Sequence, residues 1–148
     1  MSLAQPSVKY VDGFTVTGLS VRTQNSIEFD EKQAKLPGLW QEFGANNPKI
    51  DETVFGVYAD YESDVNGCYT VTAGFASQNE RQELSSVKIN PGQYLIFEGK
   101  GEMPQVVIDA WKAVWNYFTA DSPYKRCFLT DFEAYSHGDE VAIYIGIE

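Results

Sequence analysis

The sequence predicts an α+β fold: two copies of a strand-helix-strand-strand unit, an antiparallel sheet with two main helices on one face, and a cleft between the copies. Three observations carry this expectation. Asp60-Tyr61-Glu62 recurs seventy-one positions later as Asp131-Phe132-Glu133, each time at the end of an apolar run and shortly before a Gly turn. Leu39-Trp40-Gln41-Glu42-Phe43 is echoed by Val114-Trp115-Asn116-Tyr117-Phe118, and both close a helical pattern. Asn66-Gly67 and His137-Gly138 stand where hairpin turns are needed. Such self-similarity marks a repeated supersecondary unit. Each half is too small for a good core of its own, so the halves should pair and leave a natural cleft at their seam. The expected organisation is one domain, 1–148, with a first repeat over 5–77, a linker over 78–90 and a second repeat over 91–148.

The elements follow in order. Residues 8–21 mix β-branched and aromatic residues, and Phe14, Val16 and Gly18 alternate as a strand should. Asn25-Ser26 supplies capping chemistry for a looser turn, and Leu36, Leu39, Trp40 and Phe43 then keep the spacing of one helical face, with Pro37 opening the helix and Asn46-Asn47-Pro48 stopping it. Residues 54–61 and 69–75 read as a hairpin. A polar linker from Ser77 to Lys88 holds a candidate edge strand near Val87-Ile89. Tyr94-Leu95-Ile96-Phe97 is the next strand. Met103-Pro104 opens a second helix through Val107, Ala110, Trp111, Val114, Trp115 and Phe118. Residues 127–133 and 141–145 form the closing hairpin over Ser136-His137-Gly138-Asp139.

Composition narrows the functional classes. The apolar fraction of 43% suits a globular core. No apolar stretch approaches the roughly 20 residues that span a bilayer, and no basic-then-apolar leader opens the chain, so a cytoplasmic protein without membrane contact is expected. Eleven basic against 21 acidic residues give a net charge of -10, which repels nucleic acid and attracts cations. Cys68 and Cys127 lack CxxC spacing and read as free thiols. His137 is the sole histidine and lies in a turn, without the partners that triad or zinc chemistry needs, so neither a metal nor a cofactor is called for. Gly99-Lys100-Gly101-Glu102 lacks full phosphate-loop spacing and reads as a strand-to-helix turn.

Glu133 is the residue that could carry a function. It ends a strand in apolar company, with Leu129, Asp131 and Tyr135 as its alternation partners. A carboxylate among aromatic rings attracts organic cations, because charge pairing in a lowered dielectric adds to cation-π contacts of roughly 0.5–2 kcal/mol each. A solvated strand end, or a pair with Lys125 or Arg126, is the alternative. Aromatics make up 14% of the chain, enough to line a concave surface as well as fill a core. Trp40, Trp111 and Trp115 are the first candidates; Trp111 and Trp115 lie one turn apart on the second helix and can face one groove. Tyr58, Tyr61, Tyr94 and Tyr144 offer hydroxyls to a ligand or to Glu133, and Phe132 adds a ring beside it.

The run Gly56-Val57-Tyr58-Ala59-Asp60-Tyr61-Glu62-Ser63, the following Gly67-Cys68-Tyr69-Thr70-Val71-Thr72-Ala73-Gly74, the helix ending Val114-Trp115-Asn116-Tyr117-Phe118, Asp131-Phe132-Glu133-Ala134-Tyr135 and Val141-Ala142-Ile143-Tyr144-Ile145 together resemble the GyrI-like small-molecule-binding superfamily. That superfamily includes the effector-binding domains of AraC-type and MerR-type multidrug regulators. The resemblance spans nearly the whole chain. It implies a central cleft that binds lipophilic, often cationic, compounds among aromatics around one acidic residue, and Glu133 matches that acid. Regulators of this type carry a helical DNA-binding domain before the ligand domain, whereas only a short segment precedes the first strand here, so a standalone binder of amphipathic cations without direct nucleic-acid contact is expected. The resemblance also admits a protein partner or a homodimer, hydrolysis of reactive small molecules, and a gyrase-inhibitor-like interaction role.

Overall fold

The protein is described by a computed structural model over residues 7–28, 30, 32–46, 53–62, 67–76, 85–102, 105–119, 124–137 and 140–148. Among the described residues eight strands form one antiparallel sheet: β1 Ser7–Val11, β2 Thr15–Gln24, β3 Val54–Ala59, β4 Cys68–Ala76, β5 Ser85–Lys88, β6 Gly92–Lys100, β7 Arg126–His137 and β8 Glu140–Ile147. Among the described residues the helices are α1 Asn25–Glu28, α2 Leu36–Asn46 and α3 Gln105–Thr119. The strand order is β1-β6-β8-β7-β3-β4-β2-β5. The α+β class and both hairpins agree with the sequence, and α2 and α3 begin close to where their prolines place them.

Two differences concern strands. The single strand expected over 8–21 is two: Gly13, at φ +91°, breaks it, and β1 leaves β2 to pair with β6. The edge segment expected near Val87 is β5, and it pairs with β2. Each outer strand therefore lies against the first long strand of the other half of the chain. The connections β1–β2 and β5–β6 meet where the Ile89 N–H donates to the Phe14 carbonyl at 2.8 Å. Met103-Pro104 and the turn residues 63–66 and 138–139 lie outside the described residues.

Close contact between β2 and β4 depends on a glycine pair. Gly18 and Gly74 stand opposite one another, and a Cβ on Gly18 would come 1.9 Å from the Ala73 carbonyl oxygen. Both positions need the missing side chain for approach, not for backbone freedom.

Strand alternation divides the core. On one face α3 sets Val106, Ala110 and Val114 against Leu95, Phe97, Ile143 and Ile145, while Leu39 and Phe43 of α2 cover Tyr69, Val71 and Ala73. Each fully buried valine or leucine of this kind contributes roughly 1.5–3 kcal/mol. The other face gathers Val16, Val57, Ile89, Tyr94 and Phe132 with Phe14, Phe55 and Tyr144. The seam of the sheet is the β3–β7 pair, where Gly56 faces Glu133 and Tyr58 faces Asp131.

Candidate functional site

Two carboxylates stand two residues apart on the helix-covered face of β7, and they are held differently. Asp131 is fully buried. It accepts hydrogen bonds from the Tyr61 hydroxyl at 2.5 Å and the Gly146 N–H at 2.8 Å, and it pairs with the Arg126 guanidinium at 2.7 Å. Glu133, 2% exposed, accepts from three neutral donors: the Trp111 indole N–H at 2.5 Å and the Tyr58 hydroxyl at 3.1 Å on Oε2, and the Tyr135 hydroxyl at 2.7 Å on Oε1. Burial pushes the Glu133 carboxyl above the ordinary glutamate range, while the three donors pull it back. Burial, and then the nearby Glu133, push the Tyr58 and Tyr135 phenols well up, so they remain protonated donors at neutral pH.

A chain of rings covers these acids. Tyr58 lies 5.2 Å from Trp111 and 5.6 Å from Tyr69, Tyr69 lies 5.9 Å from Tyr61, and Trp111 lies 6.2 Å from Trp115. A cavity of about 310 Å³ opens over them, lined by Tyr58, Tyr61, Tyr69, Trp111 and Trp115, by Asn25 and Glu28 of α1, by Leu36 and Pro37 of α2, and by Arg126. Glu133 itself lies one layer down, beneath the Tyr58 and Trp111 rings that bond to it. Helix placement explains the geometry: Ala110 and Val114 face the sheet, and Trp111 and Trp115, each one position further on, turn along it into the cleft.

Glu28 lines the same cavity. Its carboxylate accepts from the Thr23 hydroxyl at 2.6 Å and from the backbone N–H groups of Lys35 and Leu36 at 3.0 and 3.1 Å, tying α1 to the free N–H groups that open α2. Tyr69 sits between the acids. Its hydroxyl donates to Asn25 Oδ1 at 2.7 Å, and its phenol is pushed up by burial and then by Glu28 and Glu133.

Of the residues singled out in the sequence, Glu133, Trp111, Trp115, Tyr58 and Tyr61 meet around this cavity. Trp40 stands behind it, 5.5 Å from Tyr135, where Gly56 leaves room: a Cβ there would come 2.9 Å from both Glu133 Oε1 and the Trp40 ring. Phe132, Tyr144 and Tyr94 are on the opposite face of the sheet. Phe132 stacks on Tyr144 at 4.4 Å, and the Tyr94 hydroxyl bonds to Asn90 and Thr130 instead of Glu133. The expected surround of Glu133 is thus corrected by strand parity. Glu62, the counterpart of Glu133 in the recurring motif, is exposed beyond the end of β3, whereas Glu133 is buried within β7. Arg126 pairs with Asp131, not with Glu133. Sequence reasoning missed Tyr69, Tyr135, Glu28 and Arg126 as site residues; the i+2 spacing from Glu133 to Tyr135 was the available signal.

Two backbone distortions flank the site. Asp60, at φ +52°, ends β3 and releases Tyr61 towards Asp131; Phe128, at φ +54°, sits in an irregularity of the β7–β8 register. A left-handed phenylalanine costs about 1–2 kcal/mol. Here the Arg126 guanidinium lies 4.4 Å from its ring centre and Tyr61 packs edge-on against it at 5.6 Å.

Comparisons with known proteins agree with this architecture. The chain is 38% identical to the integron cassette protein VCH_CASS2 from the mobile metagenome of Vibrio cholerae, with a TM-score of 0.88 over 99% of this chain and 97% of that one. It is 26% identical to YobU of Bacillus subtilis (strain 168), a protein named as a candidate transcriptional regulator, over 95% of this chain and 96% of the relative. SAV2435, solved bound to tetraphenylphosphonium, shares the fold with a TM-score of 0.77 at 17% identity, over 98% of this chain and 94% of that one. The resemblance read from the sequence motifs is borne out. The model of the family described as Cass2, integron-associated effector binding protein, matches residues 7–147, and the chain belongs to that family.

Proposed function

We propose that this protein binds lipophilic organic cations in the aromatic cleft between two repeat units, with Glu133 supplying negative charge from beneath the rings. The observation that carries the reading is the contrast between the two buried acids: Asp131 is neutralised by Arg126, whereas every partner of Glu133 among the described residues is neutral. A buried, uncompensated carboxylate favours an arriving cation. A carboxylate hydrogen-bonded to the Trp111 indole N–H also makes the ring face more attractive to positive charge. The cavity volume falls in the range of drug-sized ligands. That SAV2435, with the same fold, binds tetraphenylphosphonium supports this class of ligand.

Titration of the Trp fluorescence with tetraphenylphosphonium and with tetraphenylborate, which has the same shape and opposite charge, tests the reading. The phosphonium quenches and the borate binds at least about a hundredfold more weakly. Equal binding of both would reduce the site to a hydrophobic pocket. The pH dependence has a definite sign. The folded carboxyl of Glu133 is raised, so without ligand the fold favours its protonated form and loses stability as pH rises through that window. The cation favours the ionised form, so phosphonium affinity falls as pH is lowered from neutral towards the ordinary glutamate range.

A further inference from the structure

Helix α3 carries two apolar stripes. Val106, Ala110 and Val114 are buried against the sheet, while Ile108, Trp111 and Trp115, spaced i, i+3 and i+7, line the cleft. Among the described lining residues only Ile108, 44% exposed, and Pro37 at the start of α2 are exposed, so they mark where the cleft meets solvent. Both are apolar. Protein interfaces ordinarily carry a polar, solvated rim. A single exposed isoleucine on a surface needs no explanation, but Ile108 continues a row that leads inward to Trp111, the ring bonded to Glu133. The negative charge thus lies beneath the floor of the cleft, and apolar surface forms its lip.

Resting on the cation reading above, we infer that the cleft selects cations bearing an alkyl tail, which lies along α3 and leaves the protein over Ile108. The ligand class is a quaternary ammonium with one long chain. A compact cation answers the charge of Glu133 but leaves the lip in water, whereas a tailed one covers both. The direction follows from the helix: Ile108 stands three residues before Trp111, about 4.5 Å along the axis. With carbon–carbon bonds of about 1.5 Å, roughly six carbons carry a chain from a nitrogen over Trp111 past the Ile108 side chain. Carbons beyond that point enter water and add no affinity.

The test is a calorimetric titration with trimethylammonium ions carrying ethyl, butyl, hexyl, octyl and decyl chains, with tetraphenylphosphonium alongside. In the wild type, affinity rises by about two- to fourfold per methylene as far as hexyl and then levels off. Ile108→Ser, at an exposed position, lowers the ratio of hexyl to ethyl affinity by about fivefold; a uniform weakening cancels in that ratio. Affinities independent of chain length in the wild type, or ammonium ions that fail to bind where tetraphenylphosphonium does, would overturn the inference and leave cation binding intact. A ratio unchanged by Ile108→Ser would also overturn it, because the tail would then leave by another route. Failure of every cation, tetraphenylphosphonium included, would remove the underlying reading and this inference with it.

Discussion

Glu133→Gln is expected to weaken tetraphenylphosphonium binding by roughly a hundredfold, about 3 kcal/mol, while leaving the fold intact. The fold survives because the amide can be placed. Its oxygen must take the Oε2 position, since the Trp111 indole can only donate, and there it also accepts from Tyr58. The amide nitrogen then takes the Oε1 position, where the Tyr135 hydroxyl turns to accept from it. Only the charge is lost. Paired titration and thermal melts of wild type and variant check the expectation: an unchanged melting temperature with lost affinity is the predicted combination, and undiminished affinity would return Glu133 to a structural role. The variant also loses the pH dependence of binding.

Asp131→Ala should do the opposite, striking stability first. It strips Arg126 of its counter-ion in a buried position and leaves the Tyr61 hydroxyl and the Gly146 N–H without their acceptor. Breaking one partner of a buried pair typically costs 3–5 kcal/mol, which for a chain of this length lowers the melting temperature by about 10 °C or more. Replacement of both Asp131 and Arg126 by apolar residues should recover much of that loss, because the burial cost of the remaining charge disappears with it. Calorimetry of the single and double variants measures this directly. A single variant melting within a few degrees of wild type would show that the pair is relaxed by solvent. The two carboxylates of one strand are thereby separable, Glu133 by binding and Asp131 by stability.

Local signals carried much of the fold. The spacing of Val106, Ala110 and Val114 on α3, the prolines at the helix starts and the Gly-containing turns each express a short-range preference that a sequence displays directly. The swap of β1 and β5 onto the opposite halves does not show, because partners such as Val8 and Leu95 meet through tertiary pairing with no local cue. For the site, Glu133 and the tryptophans of α3 were legible because alternation and helical spacing set their directions. Parity alone does not say which face of a strand looks into a cleft, so Phe132, Tyr144 and Tyr94 were grouped with Glu133 although they face away. The left-handed residues Asp60 and Phe128 break the alternation where Tyr61 and Arg126 enter the site, and the repeated acidic motif misled for the same reason: Asp60 ends its strand whereas Asp131 lies within one. Glu28 shows no such signal because its partners Lys35 and Leu36 lie seven and eight residues further along the chain, with no helical or strand periodicity linking them.

The most direct test of the central claim is to follow the indole N–H resonances of the three tryptophans by NMR as tetraphenylphosphonium is added, with assignments from single Trp→Phe variants. The Trp111 and Trp115 resonances should move together and saturate with one dissociation constant, Trp111 most because its N–H is bonded to Glu133, while Trp40, behind Tyr135, moves little. Saturable binding that leaves Trp111 and Trp115 unmoved would place the cation elsewhere and contradict the account.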